Sequence, residues 1–203
     1  MAVLKPVLAS SNRVSDNKLT VNTSQAAFPD LHELVQLFYD DVEDLARFEN
    51  KSSGTLPSPY DLLLDHNHHM TVTVESHHGC PVDVKVLEFE TKGDMYCRKI
   101  LLTRQSDNRV VMFGIVRLHT RYLNETVRAE IESQRIPLGR VLIEHNVLRR
   151  VELGKLWQVT PNAELQRHFN QPSAEVTFGR TAIIHCDDEP AIELVEIVAP
   201  ELS

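Results

Sequence analysis

Arg98 lies in the middle of an apolar run, Met95-Tyr96-Cys97-Arg98-Lys99-Ile100-Leu101-Leu102, and Glu196 lies in a second one, Ile192-Glu193-Leu194-Val195-Glu196-Ile197-Val198. Between them in the chain, Ile136-Pro137-Leu138-Gly139-Arg140 has the form of a helix start. Each segment can carry one polar group into an apolar interior. A guanidinium grips a planar carboxylate through two parallel hydrogen bonds. The amides of Leu138 and Gly139, in a first helical turn, lack internal partners and sit at the positive end of the helix dipole. A carboxylate taken out of water suits hydrogen bonding to a hydroxyl or proton transfer. Brought together, the three would make a pocket for a small anion.

Each group also has a plainer reading. Side chains alternate across a strand, so Arg98 and Lys99 face opposite ways and only one of them is expected on the wet side. Arg98 is then either a solvated charge or the grip on an anion. Glu193 and Glu196, three apart, also face opposite ways. The inward one is either functional or a salt-bridge partner, with Arg180 as the natural candidate. The start at Pro137 alone is a weak signal, since many helices begin with proline.

The histidines His66, His68, His69, His77 and His78 are of metal-ligating type, but their spacing closes no familiar coordination geometry, and no metal site is expected. The cysteines Cys80, Cys97 and Cys186 form no CxxC pair and fit reduced thiols, two of them small apolar strand residues. No GxSxG, P-loop or GxGxxG sequence occurs, so the common hydrolase and nucleotide fingerprints are missing.

The elements that must hold these residues follow from pattern. Residues 1–27 are polar and read as a flexible lead-in, and residues 28–203 as a single domain. Leu31, Leu34, Val35, Phe38, Val42, Leu45 and Ala46 recur at helical spacing behind Pro29. Residues 51–59 read as a loop and 60–64 as a short helix or turn. The stretch 70–75 alternates and is β-branched, which favours a strand, yet its flanks suit a short helix equally well. Strands are expected over 82–90, over Met95–Arg104 and over 109–119, the last two joined by a Ser106-Asp107-Asn108 turn. Asn124 caps a helix to about residue 134, and a second helix runs Leu138–Glu144. Residues 147–159 form a strand with Gly154 as a bulge or bend, followed by a short helix over 161–169. Strands over 174–186 and 191–200 pair across the Asp187–Pro190 turn. About six strands joined mostly by hairpins, with flanking helices, give an α+β class with an antiparallel sheet.

The chain has 203 residues, enough for one domain with a real core. A net charge of −8 argues against nucleic acid as a main partner. No apolar run approaches a membrane span and no signal-peptide core opens the chain, so a cytoplasmic location is expected.

In order along the chain these pieces resemble the chorismate lyase family, enzymes that split chorismate into 4-hydroxybenzoate and pyruvate. The resemblance rests on Leu62-Leu63-Leu64-Asp65 with Met70-Thr71, on Tyr96 to Leu102, on Pro137-Leu138-Gly139-Arg140 with Leu142, on Phe178-Gly179-Arg180, and on Pro190-Ala191-Ile192 through Glu196 to Pro200. It covers roughly residues 62–200. It implies a six-stranded antiparallel sheet with helices closing over a buried ligand, and it makes Met70 part of a helical flap. It carries substrate binding onto Met70, Arg98, Leu138 (through its backbone N–H) and Glu196, with Arg98 and Glu196 as the catalytic pair. The expected activity is a carbon–oxygen lyase feeding quinone biosynthesis. Its partners would be chorismate and 4-hydroxybenzoate, with no metal or organic cofactor, in a monomer or weak dimer. The chain departs from the family pattern in a longer stretch over 156–174, including a helix over 161–169, and in His66-Asn67-His68-His69 before Met70.

Two rival readings remain. One is a domain that binds an aromatic acid without chemistry, as in the ligand-sensing domains of transcription regulators that share this fold. Those normally follow a basic DNA-binding helix, whereas the first 60 residues here carry Asp40, Asp41, Glu43 and Asp44, so the enzyme is the expectation. The other is a metal-dependent hydrolase built on the histidines.

Overall fold

Helix-starting carboxylates set the entry to the fold in the computed structural model, which describes residues 29–147 and 149–201. Asp30 accepts from the amides of His32 and Glu33 and opens α1 (Leu31–Val35). Asp41 and Asp44 form a reciprocal capping box that opens α2 (Val42–Leu45). The single helix expected over 29–46 is therefore two short ones, because the second cap restarts the helix after a turn. Ala46 belongs instead to a strand, β1 (Ala46–Lys51). The expected flexible lead-in, 1–27, lies outside the described residues.

The rest of the chain follows as α3 (Tyr60–Leu64), α4 (Met70–His78), β2 (Val82–Lys92), β3 (Met95–Arg104), β4 (Val110–His119), α5 (Glu125–Glu132), α6 (Leu138–Glu144), β5 (Arg149–Pro161), α7 (Ala163–His168), β6 (Thr177–Cys186) and β7 (Glu189–Val198). The strands make one antiparallel sheet of seven, in the order β1-β5-β6-β7-β4-β3-β2. The expected six becomes seven because β1 pairs along the outer edge of β5, Ala46 opposite Pro161 and Lys51 opposite Leu156. Pro161 thus closes a strand, and Asn162 caps the short helix after it. No helix of the described residues is long and apolar enough to cross a membrane.

Turn chemistry matches the hairpins. Asp187 and Asp188, at φ 50° and 67°, turn β6 into β7 with the doubly positive φ that suits the twist of paired strands. The register of β5 against β6 shifts between Leu153 and Leu156, so Gly154 does mark a bulge.

Both faces of the sheet are covered. One face carries α1, α2 and α7 over Phe113, Ile115, Val195 and Ile197. The other carries α5 and α6 over Val116, Ala182, Ile184 and Leu194 at one end, and α3 and α4 over Ile100, Leu102, Met112 and Val198 at the other. This corrects the expectation that one of Arg98 and Lys99 must be wet, since they are only 0% and 4% exposed. Lys99 is buried on the α1/α7 face, where it pairs with Glu88 and with Glu164 (3.3 Å) and lies over the Tyr39 ring (4.6 Å). Arg98 takes the opposite face, between the two helix pairs.

Close strand packing at β6 gives a stability test. A Cβ added to Gly179 would lie 2.7 Å from the Glu196 carbonyl oxygen, a backbone atom that cannot swing away. Gly179→Ala should cost about 1–3 kcal/mol and lower Tm by roughly 5 °C in a thermal melt; an unchanged Tm would contradict the register described.

Candidate functional site

Pairing register lines up the polar residues of the covered face. Arg98 on β3 lies opposite Val116 on β4, Gly114 on β4 opposite Glu196 on β7, and Glu196 opposite Arg180 on β6. Arg98 and Glu196 are thus two strands apart, on the order of 10 Å sideways. Between them Gly114 has no side chain to fill the floor. The space above is a cleft of about 510 Å³, counting its mouth. It is floored by Ile100, Leu102, Met112, Val116 and Leu194, and walled by the first turns of α4 and α6. The largely apolar lining with a few convergent polar groups is that of a small-molecule site.

The four residues singled out from sequence all line this cleft: Met70, Arg98, Leu138 and Glu196. Met70 opens α4, which is a helix as the flap resemblance implies. Gly79 ends it at φ 65°, the left-handed conformation that terminates many helices. α4 and α6 meet closely there, since a Cβ on Gly139 would lie 3.0 Å from Thr71 Oγ1. Arg140 of α6 also pairs with Glu75 of α4. Leu138 begins α6 behind Pro137, whose carbonyl accepts from the amides of Arg140 and Val141 (3.0 and 3.2 Å).

Arg98 is the unusual member. Its guanidinium is wholly buried, and Nη1 has only a long bond to the Ile131 carbonyl at 3.4 Å. Its Nε and Nη2 have no hydrogen-bond partner. Burial lowers its pKa, opposed in part by the neighbouring Tyr96 hydroxyl, but a guanidinium remains charged in a protein. An unpaired buried donor is costly, and an unpaired buried charge more so.

Glu196 has its counter-ion. It is 6% exposed, and its Oε2 accepts from Arg180 Nε at 2.7 Å. Of its two sequence readings, salt-bridge partner or functional acid, the pairing with Arg180 is what forms. Glu193, on the other face, accepts from Arg117 Nη2 at 2.9 Å. Arg180, 1% exposed, also reaches away from the sheet, donating to the carbonyls of His66 (2.9 Å) and His68 (3.0 Å). It fastens the segment leading into α4.

Sequence reasoning passed over His69, Thr71, Gly114 and Arg180 as cleft-lining residues. Gly114, a glycine inside the β-branched and apolar run Val110 to Val116, was the available signal for Gly114. The segment before α4 depends on neutral imidazoles. His66 Nε2 donates to the Leu63 carbonyl (2.8 Å) while Nδ1 accepts from the His68 amide (3.1 Å). His69 Nε2 accepts from Arg149 Nε at 2.8 Å. Burial first, then Arg180 beside His66 and Arg149 beside His69, push both pKa values down to about 4.

No protein-family model and no curated protein matches this chain. Solved structures do. PhnF from Mycobacterium smegmatis superposes with a TM-score of 0.51 at 11% identity, over 65% of this chain and 64% of PhnF. The chain therefore spans less than two thirds of that protein. The effector domain of the same PhnF gives a TM-score of 0.46 at 10% identity, over 64% of this chain and 88% of the domain. The ligand-binding domain of a putative GntR-family transcriptional regulator from Bordetella bronchiseptica gives 0.45 at 12% identity, over 58% and 85%. At these identities the likeness is one of fold, an α+β chorismate-lyase-like fold.

The comparison overturns the expected lyase. The solved structures named above are PhnF, its effector domain and the ligand-binding domain of a putative regulator, none of them named as a chorismate-splitting enzyme; at 10–12% identity they show the fold alone and leave the lyase without support. The expectations of pyruvate release and of a place in quinone biosynthesis fall with the enzyme.

Both imidazoles are neutral in the folded chain near pH 6.5, where unfolded histidines begin to protonate. The unfolded state binds more protons between about pH 6.5 and 4, so stability should fall as pH drops through that window and level off below it. Urea midpoints measured against pH should show this, and His66→Gln should remove one proton from the slope; a flat profile from pH 6.5 to 4 would contradict the neutral assignment.

Proposed function

We propose that this chain is a ligand-binding domain for a small aromatic carboxylate and acts by holding it, without chemistry. The observation that carries the reading is the Arg98 guanidinium, fully buried beside the cleft with Nε and Nη2 unsatisfied. A ligand carboxylate would supply two parallel charge-assisted hydrogen bonds and the missing counter-charge together. The amide of Leu138, at the start of α6, is a further donor for the same carboxylate. Ring atoms would lie on Gly114 and the apolar floor, with Met70 covering them from α4. At the far end, the remaining acceptor capacity of Glu196 would take a phenolic hydroxyl. With Arg180 already on Oε2, Glu196 serves as a fixed acceptor.

A planar acid with a hydroxyl opposite the carboxylate, such as 4-hydroxybenzoate, matches this polarity. Titration calorimetry should show saturable 1:1 binding of 4-hydroxybenzoate and much weaker binding of 4-hydroxybenzamide, which has no charge to pair with Arg98. Arg98→Met should lose at least about 2 kcal/mol, more than tenfold in affinity. Arg98→Lys should not restore it, because a point charge lacks the two-pronged geometry. Equal binding of acid and amide would contradict the reading, as would steady release of pyruvate from chorismate.

A further inference from the structure

The C-terminal end of α4 carries a second cluster that the cleft does not use. His77 and His78 are its last two residues, and Glu201 reaches them from the tail that follows β7. One nitrogen of each imidazole and one carboxylate oxygen of Glu201 all lie within 4.8 Å of one another. His77 Nε2 and Glu201 Oε1 are 3.1 Å apart, and the two rings meet edge to face with centroids 4.8 Å apart. Adjacent helical side chains normally diverge by about 100°, so this convergence belongs to the helix end, where Gly79 turns the chain.

We infer that His77, His78 and Glu201 form a binding site for a zinc-like divalent transition cation. Two imidazoles and one carboxylate are a three-ligand set typical of zinc, leaving a fourth position for water. The donors are not loose. The tail is tied by Ala199 N to the Val111 carbonyl (2.9 Å), and Glu201 N donates to the Tyr60 hydroxyl (3.0 Å). A helix C-terminus is the negative end of the dipole and favours a cation. Of the two nearby arginines, Arg104 is neutralised by Asp107. Arg109 opposes a second positive charge, so an affinity on the order of micromolar is expected rather than nanomolar. The spacing of His77 and His78 closes no geometry by itself; the third donor comes from 123 residues further on than His78, which is why the sequence pattern did not disclose the site. The cation would join the tail to the far end of the helix whose first turn walls the cleft, and the site stands independently of what the cleft binds.

The test is a zinc titration of the full chain without an affinity tag, followed by calorimetry, with cobalt(II) visible absorption as a reporter of low-coordinate geometry. One cation per chain should bind. His77→Ala, His78→Ala and Glu201→Gln should each weaken it by at least about tenfold, while His68→Ala, outside the cluster, leaves it unchanged. Circular dichroism of each variant checks that the fold survives, and Glu201→Gln, the mildest change, keeps the tail's backbone anchors. No zinc heat, or zinc binding that is indifferent to Glu201→Gln and His77→Ala or that tracks His68 instead, would overturn the assignment.

Discussion

A charged group shut away from water without its counter-charge is the constraint on which the site depends. Arg98 occupies the middle of the covered face, under the meeting point of α4 and α6, with two nitrogens that nothing in the described chain satisfies. Folding normally excludes such an arrangement, because an uncompensated buried ion costs several kcal/mol. It is tolerable where a guest supplies the missing partner. The surroundings fit that view: the floor is apolar, Gly114 leaves space, and the one acid at the other end is already paired.

The neighbouring arginine makes the contrast. Arg180 is as deeply buried as Arg98, yet its nitrogens reach Glu196 on one side and the His66 and His68 carbonyls on the other. One guanidinium is structural, tying the approach of α4 to the sheet; the other is left open. The structural one also occupies Oε2 of Glu196, whose counter-ion it is. Through Arg180, Glu196 is joined by hydrogen bonds to the His66 and His68 carbonyls in the segment leading into α4.

Much of this was legible in the chain. Alternating apolar residues and turn residues with a positive-φ preference revealed the central strands and their hairpins, and the Pro137 and Asn124 starts placed α5 and α6. The same alternation left 70–75 open between strand and helix; the segment is a helix that buries Met70, Thr71 and Val74 on one side. β1 was invisible because Arg47, Glu49, Asn50 and Lys51 give an edge strand no apolar signature. The alternation argument for Arg98 and Lys99 assumed one wet face; a sheet covered on both sides buries both, and Lys99 then needs Glu88 and Glu164. Arg98 and Glu196 stood out as charges within apolar runs and Leu138 as a helix-start amide, whereas Met70 came only with the family resemblance. What sequence could not settle was whether each would find a partner in the fold, and that difference now separates Arg98 from Glu196.

The central claim concerns the state of one side chain, and nuclear magnetic resonance of the Arg98 Nε–H reads it directly. With the resonance assigned by its loss in Arg98→Lys, titration with 4-hydroxybenzoate should move it downfield to a saturating limit and slow its exchange with water, as a carboxylate closes on the guanidinium. A ligand that binds while this resonance stays where it is in the free protein would contradict the account.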